Sequence, residues 1–95
     1  MGQHQFNHEF AEDDIQMLKA IAHPLRLRLV RELLKRGTCN VTQLQELLQI
    51  PQSTVSQHLT KLKQSRVVQF DRRGLEVYYK VQDERIRKVM ETLFA

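Results

Sequence analysis

The stretch Pro51-Gln-Ser-Thr-Val-Ser-Gln-His-Leu-Thr-Lys-Leu-Lys-Gln64 constrains this chain more than any other. Pro51 suits the first turn of a helix, where a missing N–H is no loss and the fixed φ is already helical. From that start Val55, Leu59 and Leu62 fall at i, i+4 and i+7, a narrow apolar stripe that can seat against a core. At about 100° per residue the opposite side carries Ser53, Gln57, Thr60 and Gln64, with Ser56 and Lys61 at its edges. That outer side has no carboxylate, whereas a merely solvated helix mixes both charge signs. Hydroxyl and amide groups that donate and accept, followed by Lys61 and Lys63, suit base edges and phosphates.

The charge of the chain is concentrated around this stretch. Residues 1–22 carry −3, residues 23–50 carry +3, residues 51–80 carry +4 and residues 81–95 carry 0, for a net +4. Positive charge in the middle with acidic or neutral ends favours a nucleic-acid partner over general basicity. Ninety-five residues leave room for one small core, and 41% hydrophobic with 27% charged residues is the composition of a globular domain. No apolar run approaches the roughly 20 residues of a membrane span. The polar, acidic N-terminus does not read as a signal peptide, so the expected location is cytoplasmic, with no membrane partner. The single cysteine, Cys39, excludes an intrachain disulfide and a cysteine-based structural zinc site within one protomer.

In chain order, residues 1–11 read as a flexible tail, in which His4 and His8 have a spacing that could hold a metal only if the segment were helical. Residues 12–95 read as the folded domain. Glu12 to Ala22 is expected to be helical, with three acids at its start and Ile15, Leu18 and Ala22, beside Ile21, at helical spacing. His23-Pro24 interrupts and restarts a second helix. It is apolar over most of its circumference and ends at Gly37, with Arg26, Arg28 and Arg31 covering apolar surface or touching phosphate. Asn40 with Gln43 forms a capping box for a third helix whose buried side is Val41, Leu44 and Leu48. Only Gln49, Ile50 and Pro51 separate it from the fourth, so the pair constitutes a helix-turn-helix with Ile50 as the buried pin of the turn.

After Gln64 the period becomes alternating. Val68 and Phe70 point one way, and on the return Leu75, Val77, Tyr79 and Val81 share a face. Between them Asp71-Arg72-Arg73-Gly74 reads as a turn, giving a β-hairpin with Arg72 and Arg73 at its tip. Asp83 caps a last helix carrying Ile86, Val89, Met90, Leu93 and Phe94 on one face. The expected fold is mainly α with a small hairpin, a winged helix-turn-helix in the order α-α-α-α-β-β-α. The first and last helices would pack against their symmetry mates in a two-fold homodimer through Ile15, Leu18, Ile86, Val89, Met90 and Leu93.

This order resembles that of the ArsR/SmtB family of winged-helix repressors. The strings that carry the likeness are Leu18-Lys-Ala-Ile-Ala-His-Pro-Leu-Arg-Leu, Val41-Thr-Gln-Leu, Pro51-Gln-Ser-Thr-Val-Ser-Gln-His-Leu and Gly74-Leu-Glu-Val-Tyr-Tyr. It spans about residues 15–94, and its Gln-Ser-x-x-Ser-x-His-Leu core is specific. The resemblance implies a homodimer on a pseudo-palindromic duplex DNA operator that blocks transcription until a signal releases it. It also implies base reading by Gln52, Ser53, Ser56 and Gln57, and a wing formed by Arg72 and Arg73. The whole reading-helix contact set is Gln52, Ser53, Thr54, Ser56, Gln57, Thr60 and Lys61.

Many relatives sense metals, but the pattern here departs from theirs. Cys39-Asn40-Val41-Thr42-Gln43 stands where a Cys-Val-x-Asp motif belongs. The terminal helix begins Asp83-Glu84-Arg85 and no histidine follows His58. The resemblance is therefore to a branch without metal ligands, and no cofactor is expected. His58, about 60° from the apolar stripe, reads as packed and hydrogen-bonded. Cys39 reads as a small loop residue or, alternatively, as an accessible redox thiol serving a redox- or metal-responsive regulator; a small-molecule effector is the other route to release. A winged helix serving as a protein-interaction module is a further alternative, but it calls for an apolar or acidic outer face on the Pro51 helix. No nucleophile set, phosphate-cradling glycine loop or enclosing body supports an enzyme.

Overall fold

The computed structural model describes residues 9–94, so His4 and His8 lie outside the described residues. Five helices and three short strands follow in the order α1 (Glu12–Ile21), α2 (Pro24–Arg36), β1 (Cys39–Asn40), α3 (Val41–Leu48), α4 (Gln52–Gln64), β2 (Gln69–Arg73), β3 (Glu76–Lys80) and α5 (Glu84–Phe94). Among the described residues no helix is long and apolar enough to cross a membrane.

Each helix starts and stops for a local reason. α1 has Glu12, Asp13 and Asp14 in its first turn, where carboxylates offset the positive helix end. His23 ends the link that follows and caps α2, its Nδ1 accepting from the Leu25 N–H at 3.1 Å. Gly37, at φ +90°, stops α2 and gives its N–H to the Leu33 carbonyl at 2.8 Å. α3 opens with the capping box: Asn40 Oδ1 accepts from the Gln43 N–H, and Gln43 Oε1 accepts from the Asn40 N–H, both at 2.8 Å. Asp83 accepts from the Arg85 N–H at 2.8 Å at the start of α5.

The core gathers Leu29, Val30 and Leu33 of α2, Leu44 and Leu48 of α3, and Val55, Leu59 and Leu62 of α4 with Val67 and Val68 beyond it. The predicted stripe of α4 is thus its buried side, and Ile50 packs against the same cluster from the turn.

Three expectations need correction. The sheet has three strands in the order β1-β3-β2, not two, because β1 pairs antiparallel with β3 through Cys39↔Tyr79 and Asn40↔Tyr78. The buried side of α1 is Met17, Ala20 and Ile21, at i, i+3 and i+4, while Ile15 is half-buried and Leu18 is 55% exposed. On α5, Ile86 and Met90 are buried in the protomer's own core cluster, with Ile86 beside Met17 of α1, and so are not free for a partner. Val89 is half-buried, and Leu93 and Phe94 remain largely exposed.

Candidate nucleic-acid interface

Two helices and a hairpin form one face. α3 ends at Gln49, a non-glycine residue in the left-handed region at φ +58°, whose N–H bonds the Gln45 carbonyl at 2.9 Å. Its side chain donates to the Glu46 carbonyl at 2.8 Å, and Arg28 reaches from α2 to the Leu48 carbonyl at 3.2 Å. Three carbonyls at the end of α3 are therefore satisfied, and the chain turns through Ile50 and Pro51 directly into α4.

α4 holds no acidic residue. With Val55, Leu59 and Leu62 buried, Gln52, Ser53, Gln57, Thr60 and Lys61 are exposed, and Thr54 and Ser56 are half-buried at the edges. The Thr60 hydroxyl donates to the Ser56 carbonyl at 2.9 Å, which holds its methyl and oxygen in one orientation. Pro51 caps α4 without a side-chain hydrogen bond, and the first N–H groups of the helix lie at its positive end. Lys63 is turned aside, its Nζ lying 4.7 Å from the Phe70 ring centroid, and this contact ties the end of α4 to β2.

The hairpin differs from its predicted form. Arg72 and Arg73 are not in the turn; they are the last residues of β2, paired with Val77 and Glu76. The loop is Gly74-Leu75, with Gly74 at φ +64° supplying the first position of a two-residue turn. Leu75, placed by alternation beside Val77 and Tyr79, is instead entirely exposed because it lies beyond the strand. Arg73 bonds Asp71 at 3.2 Å and lies over the Tyr78 ring at 4.8 Å; Arg72 has no ion pair among the described residues. Between hairpin and helices runs a cleft of about 250 Å³, walled by Thr42 and Gln52 on one side and Leu75 and Val77 on the other. Asn40 spans its base, donating from Nδ2 to the Glu76 carboxylate.

The His58 ring lies 4.7 Å from that of His23, but its buried Nδ1 has no hydrogen-bond partner among the described residues, contrary to expectation. The Nε of neighbouring Arg26 is likewise unpartnered. Burial first, then the His23 and Arg26 charges, hold the His58 pKa below the ordinary histidine value. Cys39 is not in an accessible loop. It is 2% exposed within β1, and burial pushes its thiol up, with Glu32 adding to the rise and Arg36 opposing it. A protonated, covered thiol is a poor nucleophile and a poor metal ligand. Among the described residues no three His, Cys, Asp or Glu side chains are grouped to hold a metal ion.

A second face lies across α1 and α5. There a shallow apolar groove runs between Met17, Leu18, Ile86 and Val89, bounded by the 3.0 Å ion pair of Asp14 with Arg85. Arg85 also bonds Asp83 at 2.7 Å and holds its carboxyl below the usual carboxylate range.

Comparison with known proteins gives this arrangement a context. The model of the bacterial regulatory protein arsR family matches residues 23–69, which run from His23 through the reading helix into β2. The transcriptional repressor PagR of Bacillus anthracis is 42% identical over 95% of this chain and 90% of its own length. Its crystal structure superposes with a TM-score of 0.80 at 45% identity, covering 86% of this chain and 93% of that one. The crystal structure of NolR from Sinorhizobium fredii superposes with a TM-score of 0.79 at 32% identity, over 90% of this chain and 85% of that one.

Proposed function

Because this chain belongs to the arsR family of bacterial regulatory proteins and is a DNA-binding transcriptional repressor, we propose that it binds its operator as a two-fold homodimer with α4 of each protomer in a major groove. The observation that carries this reading is the acid-free outer side of α4, with Gln52, Ser53, Gln57 and Lys61 exposed above a fully buried stripe. Amide side chains at Gln52 and Gln57 can pair with an adenine edge through two hydrogen bonds, donating to N7 and accepting from N6–H, while Ser53, Thr54, Ser56 and Thr60 fit either base type or a thymine methyl. Lys61 and the N–H groups at the start of α4 neutralise backbone phosphates. Arg72, which has no ion pair among the described residues, and Arg73 supply the wing.

A second copy of the chain covers the α1/α5 face through Leu18, Val89 and Leu93, with Ile15 and Phe94 at the margin. Three large apolar side chains there, Leu18, Leu93 and Phe94, are more than half exposed in the protomer. An isologous pairing of this face places two reading helices on one side of the duplex, matching a pseudo-palindrome of half-sites about 34 Å apart. Repression then requires binding alone, in the cytoplasm and without catalysis. Cys39 is covered, and among the described residues no companion donors are grouped with it, which does not favour release by a metal ion at this thiol.

Footprinting on the chain's own upstream region, followed by binding of Gln57→Ala and Ser53→Ala, tests the reading. Each variant should lose about 1 to 3 kcal/mol of discrimination at one base position per half-site while keeping its non-specific affinity. Equal weakening on every duplex would remove these residues from the reading set.

A further inference from the structure

The hairpin turn holds one side chain for which the fold has no use. Leu75 has 100% of its surface exposed and contributes nothing to the core. The turn does not require it either. Gly74 alone takes positive φ in this two-residue loop, so a serine or asparagine at position 75 would close the hairpin equally well.

Its surroundings indicate what it meets. Leu75 and Val77 form the apolar wall of the cleft whose other wall is Thr42 and Gln52. A sugar-phosphate strand is divided in the same way, with phosphate oxygens on one side and deoxyribose carbons on the other. Glu76, the acid of this cleft, has its carboxylate engaged by Asn40. With α4 in the major groove and one strand in the cleft, the lip formed by Leu75 lies over the adjacent minor groove. The preceding residues in β2 are Arg72 and Arg73, cations suited to the phosphates that border a groove.

We propose that Leu75 is an apolar wedge that the wing inserts into the minor groove flanking each half-site, partly unstacking one base step. This rests on the wing reading given above. The regulator would then select, at a position where it makes no hydrogen bond, for pyrimidine–purine steps that unstack easily and against stiff A-tracts.

The test uses the whole chain and its footprinted operator, synthesised with either a TA step or an A-tract at the flank, in a salt series. One arm compares Leu75→Ser with the parent; the other compares Arg72→Ala/Arg73→Ala. The parent should prefer the TA flank, and Leu75→Ser should erase that preference and bind the TA operator about tenfold more weakly, the net of leucine burial and unstacking. Its salt slope should be unchanged, since no phosphate contact is lost, whereas the arginine variant should show a shallower slope. Leu75 is fully exposed, so its replacement leaves the fold intact. If Leu75→Ser keeps the flank preference, or weakens all flanks equally, while the arginine arm still flattens the slope, the wedge is refuted and the wing stands. If neither arm changes binding, the wing reading fails and the wedge falls with it.

Discussion

Asn40 joins the helix-turn-helix to the wing, and replacing it separates the two contributions. Asn40 is a buried polar residue. Its Oδ1 accepts from the Gln43 N–H at 2.8 Å, and its Nδ2 donates to the Glu76 carboxylate on β3. Asn40→Ala removes both side-chain contacts, while the bond from the residue-40 N–H to Gln43 Oε1 can persist. Loss of an N-cap costs about 1 kcal/mol. A hydrogen bond to a carboxylate is worth about 1.5 to 3 kcal/mol, reduced to about 1 here because Glu76 is exposed and solvent screens it. The expected loss is therefore about 2 kcal/mol, or about 10 °C in Tm for a domain of this size.

Asn40→Ser keeps the cap but cannot reach Glu76, and should lose about half as much. Asn40→Asp also keeps the cap but sets two carboxylates against each other, so it should be less stable than Asn40→Ser at neutral pH and recover as acid protonates the pair. Urea unfolding at one fixed protomer concentration measures these losses, and a double-mutant cycle with Glu76→Gln isolates the coupling at about 1 kcal/mol. Equal stability of Asn40→Ser and Asn40→Ala, or a loss below about 0.5 kcal/mol for the latter, would refute the two-part account.

Two further substitutions probe the dimer face and the support beneath α4. Leu93 is 66% exposed and outside the protomer core, so Leu93→Asp should leave helix content intact. It should weaken dimerisation by on the order of a hundredfold or more, since a two-fold interface loses two leucines and gains two carboxylates; sedimentation showing an undiminished dimer would discard that face. For His58, the depressed pKa means that the unfolded chain binds more protons than the folded one just below the ordinary value of about 6.5. The stability it leaves intact at neutral pH is lost as pH falls through that value toward the lower folded one. The urea midpoint of the parent should fall more steeply between pH 7.5 and 5.5 than that of His58→Gln, and parallel curves would contradict the burial argument.

The helices were legible because their signals are local. The capping box at Asn40 and Gln43, the proline starts at 24 and 51, and the 4-3 stripe of Val55, Leu59 and Leu62 each act within one or two turns. The family strings at Gln52-Ser53 and His23-Pro24 lie inside the segment that the arsR-family model matches. What escaped the sequence depends on distant neighbours. β1 is two residues long, too short to show alternation, and exists because β3 offers a free edge to Cys39 and Asn40. The division of the α5 apolar face, with Ile86 and Met90 inward and Leu93 and Phe94 outward, depends on which of them meet the core built by the other helices. The turn moved from Asp71–Gly74 to Gly74-Leu75 because β2 pairs through Arg73↔Glu76, which leaves only two residues for the loop. The exposed Leu75 could have been suspected only from its place next to a turn glycine.

The link that leads into α4 is held from α2 by an arginine. The sequence places Arg28 over apolar surface or against phosphate, but it donates across 20 residues to the Leu48 carbonyl at the end of α3. Gln49 adds its own side chain to the Glu46 carbonyl while holding a left-handed backbone that glycine would adopt more easily. Glycine there would relieve the backbone but abandon the carbonyl. A cap of this kind is favoured when the direction of the departing chain matters more than the local energy, because a base contact in the major groove tolerates little angular error. Arg28, Gln49 and Pro51 thus hold the link between α3 and α4 without belonging to the outer side of α4. Substitutions at Arg28 should therefore impair discrimination among operators through the tilt of α4, and they should do so with the salt slope of binding unchanged.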